Sequence, residues 1–453
     1  MTRRIVIIGG GCSGTLAALN LLKLGSAGSL EVILVEPRSE VGRGLAYTVP
    51  SDRCKLNVPA NGMGADPGDP EGFLTWARAQ DFSVEPHQFV SRRLYGSYLQ
   101  FLLDTAQKSA TPGTFQIIRD VAVDLDFDED TQRFRIELAR HPFVHADACI
   151  LALGNLRRST LNGIEIASMF SDPYDERSYE ALEDKQRMLV IGTGLTAVDC
   201  VLEAEGRGYT GEYVMLSRHA RVPLSHESVS ALQASKVDPF FSSQDLLVSV
   251  PLVALVRRIR EEAQRLGSSQ PVIHAMRPHL QAVWKALPLA SKKRFLRHLR
   301  PFWEVHRHRI PDSHAAVLDA LRECGRLSVI AGRLKSAHRS AGAIEVVYQH
   351  GSEVVRNTFD IAMCCAGPER DLRKAENSLV QNLLRRGVIR PGALGLGVDT
   401  TESSLPQTAQ QRFRILGPLQ REQLWEITAV REIRSEAVRL ADELSLQLSG
   451  GAA

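Results

Sequence analysis

The sequence predicts an α/β protein made of two successive strand–glycine turn–helix–strand units. The second unit carries a helical insertion. Three observations carry this expectation. Glycines cluster at Gly9-Gly10-Gly11-Cys12-Ser13-Gly14 and again at Gly192-Thr193-Gly194-Leu195-Thr196-Ala197. Each cluster follows a short apolar run and leads into apolar residues at helical spacing. The chain then closes on a long amphipathic segment, from about Thr428 to Leu448, set behind a short apolar run at Arg414 to Leu416.

In order, Arg4 to Ile8 reads as a strand apolar on both faces, the pattern of a buried parallel sheet. Gly9 to Gly14 makes the turn, Thr15 to Leu24 a helix and Glu31 to Glu36 the next strand. Residues 42–72 are rich in Gly, Pro, Asn and Asp, which predicts a long ordered loop. Helices are expected near 70–79 and 91–108, followed by strands at Phe134 to Leu138 and Ala148 to Leu153. The second unit repeats the order with a strand at Met188 to Ile191, the turn, a helix at Val198 to Glu205 and a strand at Tyr213 to Leu216. From about 225 to 320 the pattern is helical, with Leu252, Leu255, Val256, Ile259 and Leu266 at helical spacing. Strand patterns return at Leu327 to Ile330, Ile344 to Tyr348 and Asp360 to Cys365. The expected division is 1–160 for the first part of one domain, 161–324 for a second with its helical insertion from about 225, and 325–453 for the return to the first.

The first cluster fits G-x-G-x-x-G between a strand and a helix, the fingerprint of a Rossmann-like dinucleotide-binding unit. Gly9 makes the tight turn, Gly11 lets a pyrophosphate approach the backbone, and Gly14 lets helix and strand pack closely. The phosphates then lie on free N–H groups at the helix start, here those of Cys12 and Ser13. Glu36 closes the second strand about 20 residues on, where a carboxylate accepts bonds from a ribose 2′-hydroxyl and repels a 2′-phosphate. This site should hold FAD or NAD.

The second cluster keeps Gly192 and Gly194, places Thr196 in the helix start and has Ala197 in the third position, which the fingerprint tolerates. Ser217 now stands where Glu36 stood, followed by Arg218, His219 and Arg221. A hydroxyl and guanidinium groups suit a dianionic 2′-phosphate, so NADPH is expected here over NADH. Both units together predict two Rossmann-like dinucleotide-binding domains.

The 453 residues fit two or three domains. With 55 basic against 52 acidic residues, charge does not point to nucleic acid or a membrane surface. The N-terminal apolar run is too short for a signal peptide, and no stretch of roughly 18 apolar residues occurs, so a soluble cytoplasmic protein is expected. The seven cysteines are scattered and include no Cys-x-x-Cys, which disfavours a disulfide framework, a zinc site and a dithiol redox pair. Cys364 and Cys365 are adjacent in an apolar run and read as core residues. His306 and His308 would share one face of a strand, but no third ligand stands at metal spacing, and no metal is expected.

Two nested units of this kind resemble the two-dinucleotide-binding flavoproteins, which include disulfide reductases, flavin-containing monooxygenases and amine N-hydroxylases. More narrowly, Gly42 to Tyr47, Leu56 to Met63, Phe89 to Leu99, Phe295 to Ile310 and Gly417 to Arg434 are similar to a bacterial family of FAD/NAD(P)-binding proteins related to the N-hydroxylating monooxygenases. The resemblance covers nearly the whole chain. It implies FAD in the first unit, with Arg43, Gly417, Trp425 and Thr428 among the residues that hold it. It also implies that the chain returns to the first unit through a strand at Arg414 to Pro418, and that a helix opens within Trp425 to Val430 whose N–H groups meet the flavin pyrimidine ring. Disulfide reductases carry Gly-Asp at this return, whereas here Gly417 is followed by Pro418.

The implied activity is that of a FAD-dependent, NADPH-using oxidoreductase. With no dithiol, a monooxygenase is favoured that forms a C4a-peroxyflavin and oxygenates a small nucleophile, an amine or amino-acid nitrogen first. Two alternatives stay open: an NADPH-dependent flavin reductase or dehydrogenase that makes no productive use of oxygen, and a flavin-binding regulatory protein. Asn57, in the loop Leu56 to Met63, is the candidate catalytic residue, hydrogen-bonding the flavin N5 edge or the peroxide; a turn-stabilising role is its alternative. The basic and aromatic segment Arg297 to Arg309 is a candidate surface for a substrate carboxylate or the NADPH phosphates, and Arg93 and Tyr95 are further candidates. The partners expected are a small-molecule substrate and molecular oxygen.

Overall fold

Ile5, Val6 and Ile7 are fully buried in a strand, Arg3–Ile8, that is flanked on both sides by parallel neighbours. With no water on either face, an unbroken apolar run is the sequence such a strand requires. It is the middle of a five-stranded sheet whose order is Phe413–Ile415, Ala148–Leu151, Arg3–Ile8, Leu30–Val35, Phe115–Ile118. The computed structural model describes residues 2–24, 30–180, 182–226, 236–340, 342–401, 404–406 and 412–449. The opening stretch of the expected insertion, 227–235, lies outside the described residues.

The chain divides into two units. The first comprises Met1–Asp52, Val58–Arg158 and Pro368–Ala453. Its parallel sheet is joined by an antiparallel meander of Ala122–Asp128, Arg133–Leu138 and Val144–Ala146. The two share a core in which Val6, Ile33, Phe134, Ile136, Leu151 and Phe413 meet. The helix Cys12–Leu24 follows the first strand, and the closing helix Val430–Ser449 packs along it. The C-terminal return is real: Phe413–Ile415 pairs in parallel with Ala148–Leu151, at Phe413↔Cys149 and Ile415↔Leu151.

The second unit comprises Arg53–Asn57 and Ser159–Gly367. Its parallel sheet has the order Leu327–Ala331, Glu212–Ser217, Arg187–Ile191, Ile361–Cys364, and a three-stranded antiparallel sheet, Arg333–Ser340, Ala343–His350, Glu353–Phe359, packs beside it. The return to the first unit therefore falls at Pro368, later than the expected 325. The reason is pairing: Leu327–Ala331 adds to Glu212–Ser217, and Ile361–Cys364 adds to Arg187–Ile191, so both edges of this sheet come after 325. Helices fill the insertion, among them Leu252–Leu266, Leu280–Ala286, Arg300–Arg307 and Asp312–Glu323. Among the described residues no helix is long and apolar enough to cross a membrane.

Candidate functional site

In the first unit the Gly9 N–H donates to the Val35 carbonyl at 2.9 Å, which ties the glycine turn to the end of the second strand. Gly9 has φ +104°, and a Cβ there would stand 2.5 Å from the Ala152 carbonyl oxygen, so the turn admits only glycine. A Cβ on Gly14 would fall on the Gly9 carbonyl, which is the close helix–strand packing expected of the third glycine. Thr15 makes the first bond of the helix, to the Gly11 carbonyl at 2.9 Å. The N–H groups of Cys12, Ser13 and Gly14 precede it and face the loop at the positive end of the helix. That arrangement is a cradle for a pyrophosphate.

Glu36 is 2% exposed, and its Oε2 accepts the Gly10 N–H at 2.8 Å. Arg38 then grips the same carboxylate, with Nε on Oε1 at 2.7 Å and a terminal nitrogen on Oε2 at 2.9 Å. Burial alone would raise the Glu36 pKa, but the Arg38 hydrogen bonds and charge, helped by the Gly10 N–H, hold it below the ordinary carboxylate range. Sequence reasoning missed Arg38, although a basic residue two places after the acid is visible in Glu36-Pro37-Arg38. Beside it lies a cavity of about 480 Å³ lined by Pro37, Ser39, Arg119, Arg140 and His141.

The loop after the second strand closes over the cradle. Gly42 N–H donates to the Gly10 carbonyl at 2.7 Å, and Gly44 lies against Gly11. Arg43 reaches the helix Arg92–Ser109, with Nε on Gln100 Oε1 at 2.8 Å and a second contact to Ser97 Oγ at 3.3 Å. Tyr47 packs on Tyr95 at 4.8 Å and bonds to the Cys12 thiol, whose pKa burial pushes up to about 12. The other two candidates on this helix are structural. Arg93 donates to the carbonyls of Val49 and Pro50 at 3.2 and 2.7 Å, and Tyr95 is fully buried.

From the C-terminal side, Gly417 adopts φ +88° and presses on Ser13, its N–H donating to Gln420 Oε1 at 3.1 Å. The expected helix within Trp425 to Val430 begins only at Val430; Arg421 to Thr428 forms successive turns, because Pro418 and the bonds Gln423 N to Gln420 O and Ile427 N to Leu424 O shape tight turns first. Trp425 is 3% exposed with the Arg421 guanidinium 4.3 Å from its ring centre, and Thr428 is half-buried two residues before the helix.

The second unit repeats the turn. Gly192 N–H donates to the Leu216 carbonyl at 2.9 Å, and Gly192 has φ +118°. A Cβ there would meet the Cys365 carbonyl, as one on Gly9 meets Ala152. Cys364 is half-buried and Cys365 buried, and burial pushes the Cys365 thiol well above its ordinary range. Nothing stands within 4 Å of a Cβ on Gly194, so the loop is open where a phosphate would approach. The helix Leu195–Gly206 starts there, with Ala197 N–H on the Gly194 carbonyl at 3.0 Å and Thr196 Oγ1 3.1 Å from the Tyr174 hydroxyl. Ser217 Oγ accepts from Thr193 Oγ1 at 3.0 Å and from Ala220 N–H at 3.1 Å. Both are acceptor bonds, so the Ser217 proton stays available to an anion. Arg218 and His219 are exposed beside it; burial, then Arg218 and Arg221, lowers the His219 pKa. Arg221 is placed otherwise than expected: its guanidinium lies 3.6 Å from the Phe302 ring centre, a cation–π contact.

Asn57 belongs to the short segment grouped with the second unit. Its carbonyl oxygen lies 3.2 Å from His226 Nε2, while its side-chain amide bonds to no described residue, so it does not serve as a turn brace. The segment Arg297 to Arg309 is helical through Arg307, correcting the expected strand face for His306 and His308. His306 Nδ1 is 2.8 Å from Ser269 Oγ, His308 lies 3.3 Å from Glu304, and Arg309 is 3% exposed with a bond to the Ser225 carbonyl at 2.6 Å. Arg309 is therefore part of the structure and not a surface for substrate.

Residues 6–156 match the family model described as FAD-NAD(P)-binding. No curated protein sequence matches the chain. Among solved structures, L-lysine 6-monooxygenase from Pseudomonas syringae is similar over 97% of this chain and 98% of its own, with TM-score 0.67 and 14% identity. Ornithine hydroxylase from Pseudomonas aeruginosa is similar over 99% and 100%, with TM-score 0.66 and 15% identity. Ornithine N-hydroxylase from Kutzneria sp. 744, solved with reduced FAD, NADP+ and L-ornithine, is similar over 99% and 100%, with TM-score 0.65 and 13% identity. At these identities the likeness is one of fold. Residues 6–156 are therefore similar to a FAD-NAD(P)-binding family, in a chain with the fold that these three solved structures share.

Proposed function

We propose that the chain is an NADPH-dependent flavoprotein monooxygenase that holds FAD in the first unit and NADPH in the second, and oxygenates the nitrogen of a small amine or amino acid. The observation that carries the reading is the paired construction of the two loops. Gly9 and Gly192 make the same 2.9 Å bond to the end of the following strand, yet one loop is closed by the Glu36–Arg38 pair and the other by Ser217 and Arg218. A carboxylate selects a free ribose, and a hydroxyl beside guanidinium groups selects a phosphorylated one.

When bound, FAD supplies hydride acceptance from NADPH and the activation of oxygen. The chain's own residues bind and orient. The N–H groups of Cys12 to Gly14 hold the pyrophosphate, Gly42 to Gly44 close the loop over it, and Gly417 brings the C-terminal return onto Ser13. Arg43, Trp425 and Thr428 belong to the same FAD-binding set in this reading, and Thr196 and Ala197 to the NADPH set. Asn57 is the hydrogen-bond donor to the flavin edge, its amide being unengaged. The similar structures act on ornithine and lysine, as their names state, which supports an amine nitrogen as the atom oxidised. The seven cysteines are free thiols, which suits the cytoplasm as the place of action.

The test is NADPH consumption by the flavin-loaded protein across a panel of diamines and basic amino acids, with oxygen uptake and peroxide followed together. Substrate-stimulated consumption with little peroxide supports oxygenation. Turnover that continues unchanged without oxygen identifies a reductase or dehydrogenase instead.

A further inference from the structure

The helical insertion of the second unit holds a groove that takes no part in either glycine loop. The helix Leu252–Leu266 buries one face, through Leu255, Ile259 and Leu266, against Phe240, Leu247 and Met276. Val253, Val256, Arg257 and Arg260 recur at i, i+3, i+4 and i+7, so they share a second face. Val253 on that face is 56% exposed. An apolar stripe outside the core face needs a reason, because a helix of this kind is ordinarily polar where it meets water.

Facing it is the π-helical turn Phe295–Leu299. Such turns are rare and concentrate at functional sites. Arg294, His298 and Leu299 form the opposite wall of a cavity of about 510 Å³. That volume lies within the range of sites for small organic molecules, roughly 300–1,000 Å³.

The charges are left open. Among the described residues, Arg257, Arg260, Arg294 and His298 make no ion pair or hydrogen bond. Their neighbours on the same helix behave differently: Arg265 grips Glu262 at 2.6 and 2.8 Å, and Arg258 stacks 4.4 Å from the Phe240 ring centre. A single acid, Glu261, lines the cavity against the three guanidinium groups. The groove is therefore cationic at its rim and apolar along Leu252, Val253, Val256 and Leu299.

We propose that this groove is a binding site for a small amphipathic carboxylate, its aliphatic or aromatic body on the apolar wall and its head between Arg257, Arg260 and Arg294. The planar guanidinium fork matches a carboxylate with two parallel hydrogen bonds. An apolar body that displaces water from the wall adds burial to the charge contact. The proposal is independent of what the glycine loops hold.

Titration calorimetry of the full chain with decanoate, below its aggregation concentration and at physiological salt, tests it. One saturable site per chain is expected, weakened about tenfold or more by Arg257→Ala/Arg260→Ala together. Acetate and decanol, which each carry half of the chemistry, should bind at least about tenfold more weakly than decanoate. Val253→Asp, at an exposed position that folding tolerates, should abolish decanoate binding while leaving the thermal midpoint near that of the parent. Absence of decanoate binding overturns the proposal. So does equal binding of decanoate by parent and both variants, and so does acetate binding as well as decanoate, which would mean simple ion adsorption.

Discussion

Gly417 lies so close over Ser13 that a methyl group on Gly417 would fall on the Ser13 hydroxyl. The residues are 404 positions apart in sequence, and their meeting joins the C-terminal return to the start of the first glycine-loop helix. Gly417→Ala should therefore push on that helix start and strain a backbone held at φ +88°. A loss of about 1–3 kcal/mol is expected, read as a lower thermal midpoint with less FAD retained through gel filtration. Ser13→Gly in the same chain should restore part of the FAD retention. A Gly417→Ala protein as stable and as flavin-rich as the parent would detach the return from the nucleotide cradle.

Glu36 links stability to pH. Its carboxyl is held below the ordinary value of 4.5 in the folded chain, by Arg38 and the Gly10 N–H, despite burial. The unfolded chain thus takes up the proton first as pH falls. The contribution is complete above about pH 4.5 and is lost as pH falls through the lowered folded value. Glu36→Gln should be less stable than the parent at neutral pH, and the gap should close in acid. A gap that widens on acidification would show the Glu36–Arg38 pair to be misassigned.

The proposed function assigns cofactor choice to Arg218. Arg218→Ala should raise KM for NADPH by about 10- to 100-fold, the loss of one charge-assisted phosphate contact worth about 1.5–3 kcal/mol. KM for NADH should stay nearly unchanged. Steady-state kinetics with both cofactors decide it, and an equal rise for both would remove Arg218 from the 2′-phosphate site.

The proposed function gives Asn57 a part in coupling. Asn57→Ala should leave NADPH oxidation largely intact and raise the peroxide released per NADPH consumed, because a donor to the flavin edge is lost while the nucleotide loops are untouched. An unchanged peroxide ratio would remove Asn57 from the flavin edge.

The proposed function uses no cysteine chemistry. Cys365 stands under the second glycine turn as Ala152 stands under the first, with its thiol pushed upward by burial. Cys364→Ser and Cys365→Ala should retain substrate-stimulated NADPH consumption. Its abolition in both, with FAD and NADPH still bound, would favour a dithiol reaction.

The glycine turns, their strands and their helices were legible because each rests on local demands: positive φ at Gly9 and Gly192, and unbroken apolar runs such as Ile5 to Ile8. The C-terminal return was legible in the run at Arg414 to Leu416, which pairs with Ala148–Leu151. What was hidden depends on pairing partners. Arg333–Ser340 buries only Leu334 and Ala337 deeply and otherwise reads as polar, so its antiparallel sheet gives little periodic signal, and the return comes at Pro368 and not at the expected 325. The site residues divide the same way. Glu36 is found by its distance from the motif, whereas nothing in sequence announces that Tyr174 meets Thr196 or that Arg221 stacks on Phe302.

The most direct measurement is an anaerobic titration of the purified, FAD-reconstituted protein with NADPH, followed by admission of oxygen. The account predicts one FAD bound per chain, bleaching of the flavin absorbance by NADPH at far lower concentration than by NADH, and recovery of the oxidised spectrum in air. A folded protein that takes up no flavin would contradict it.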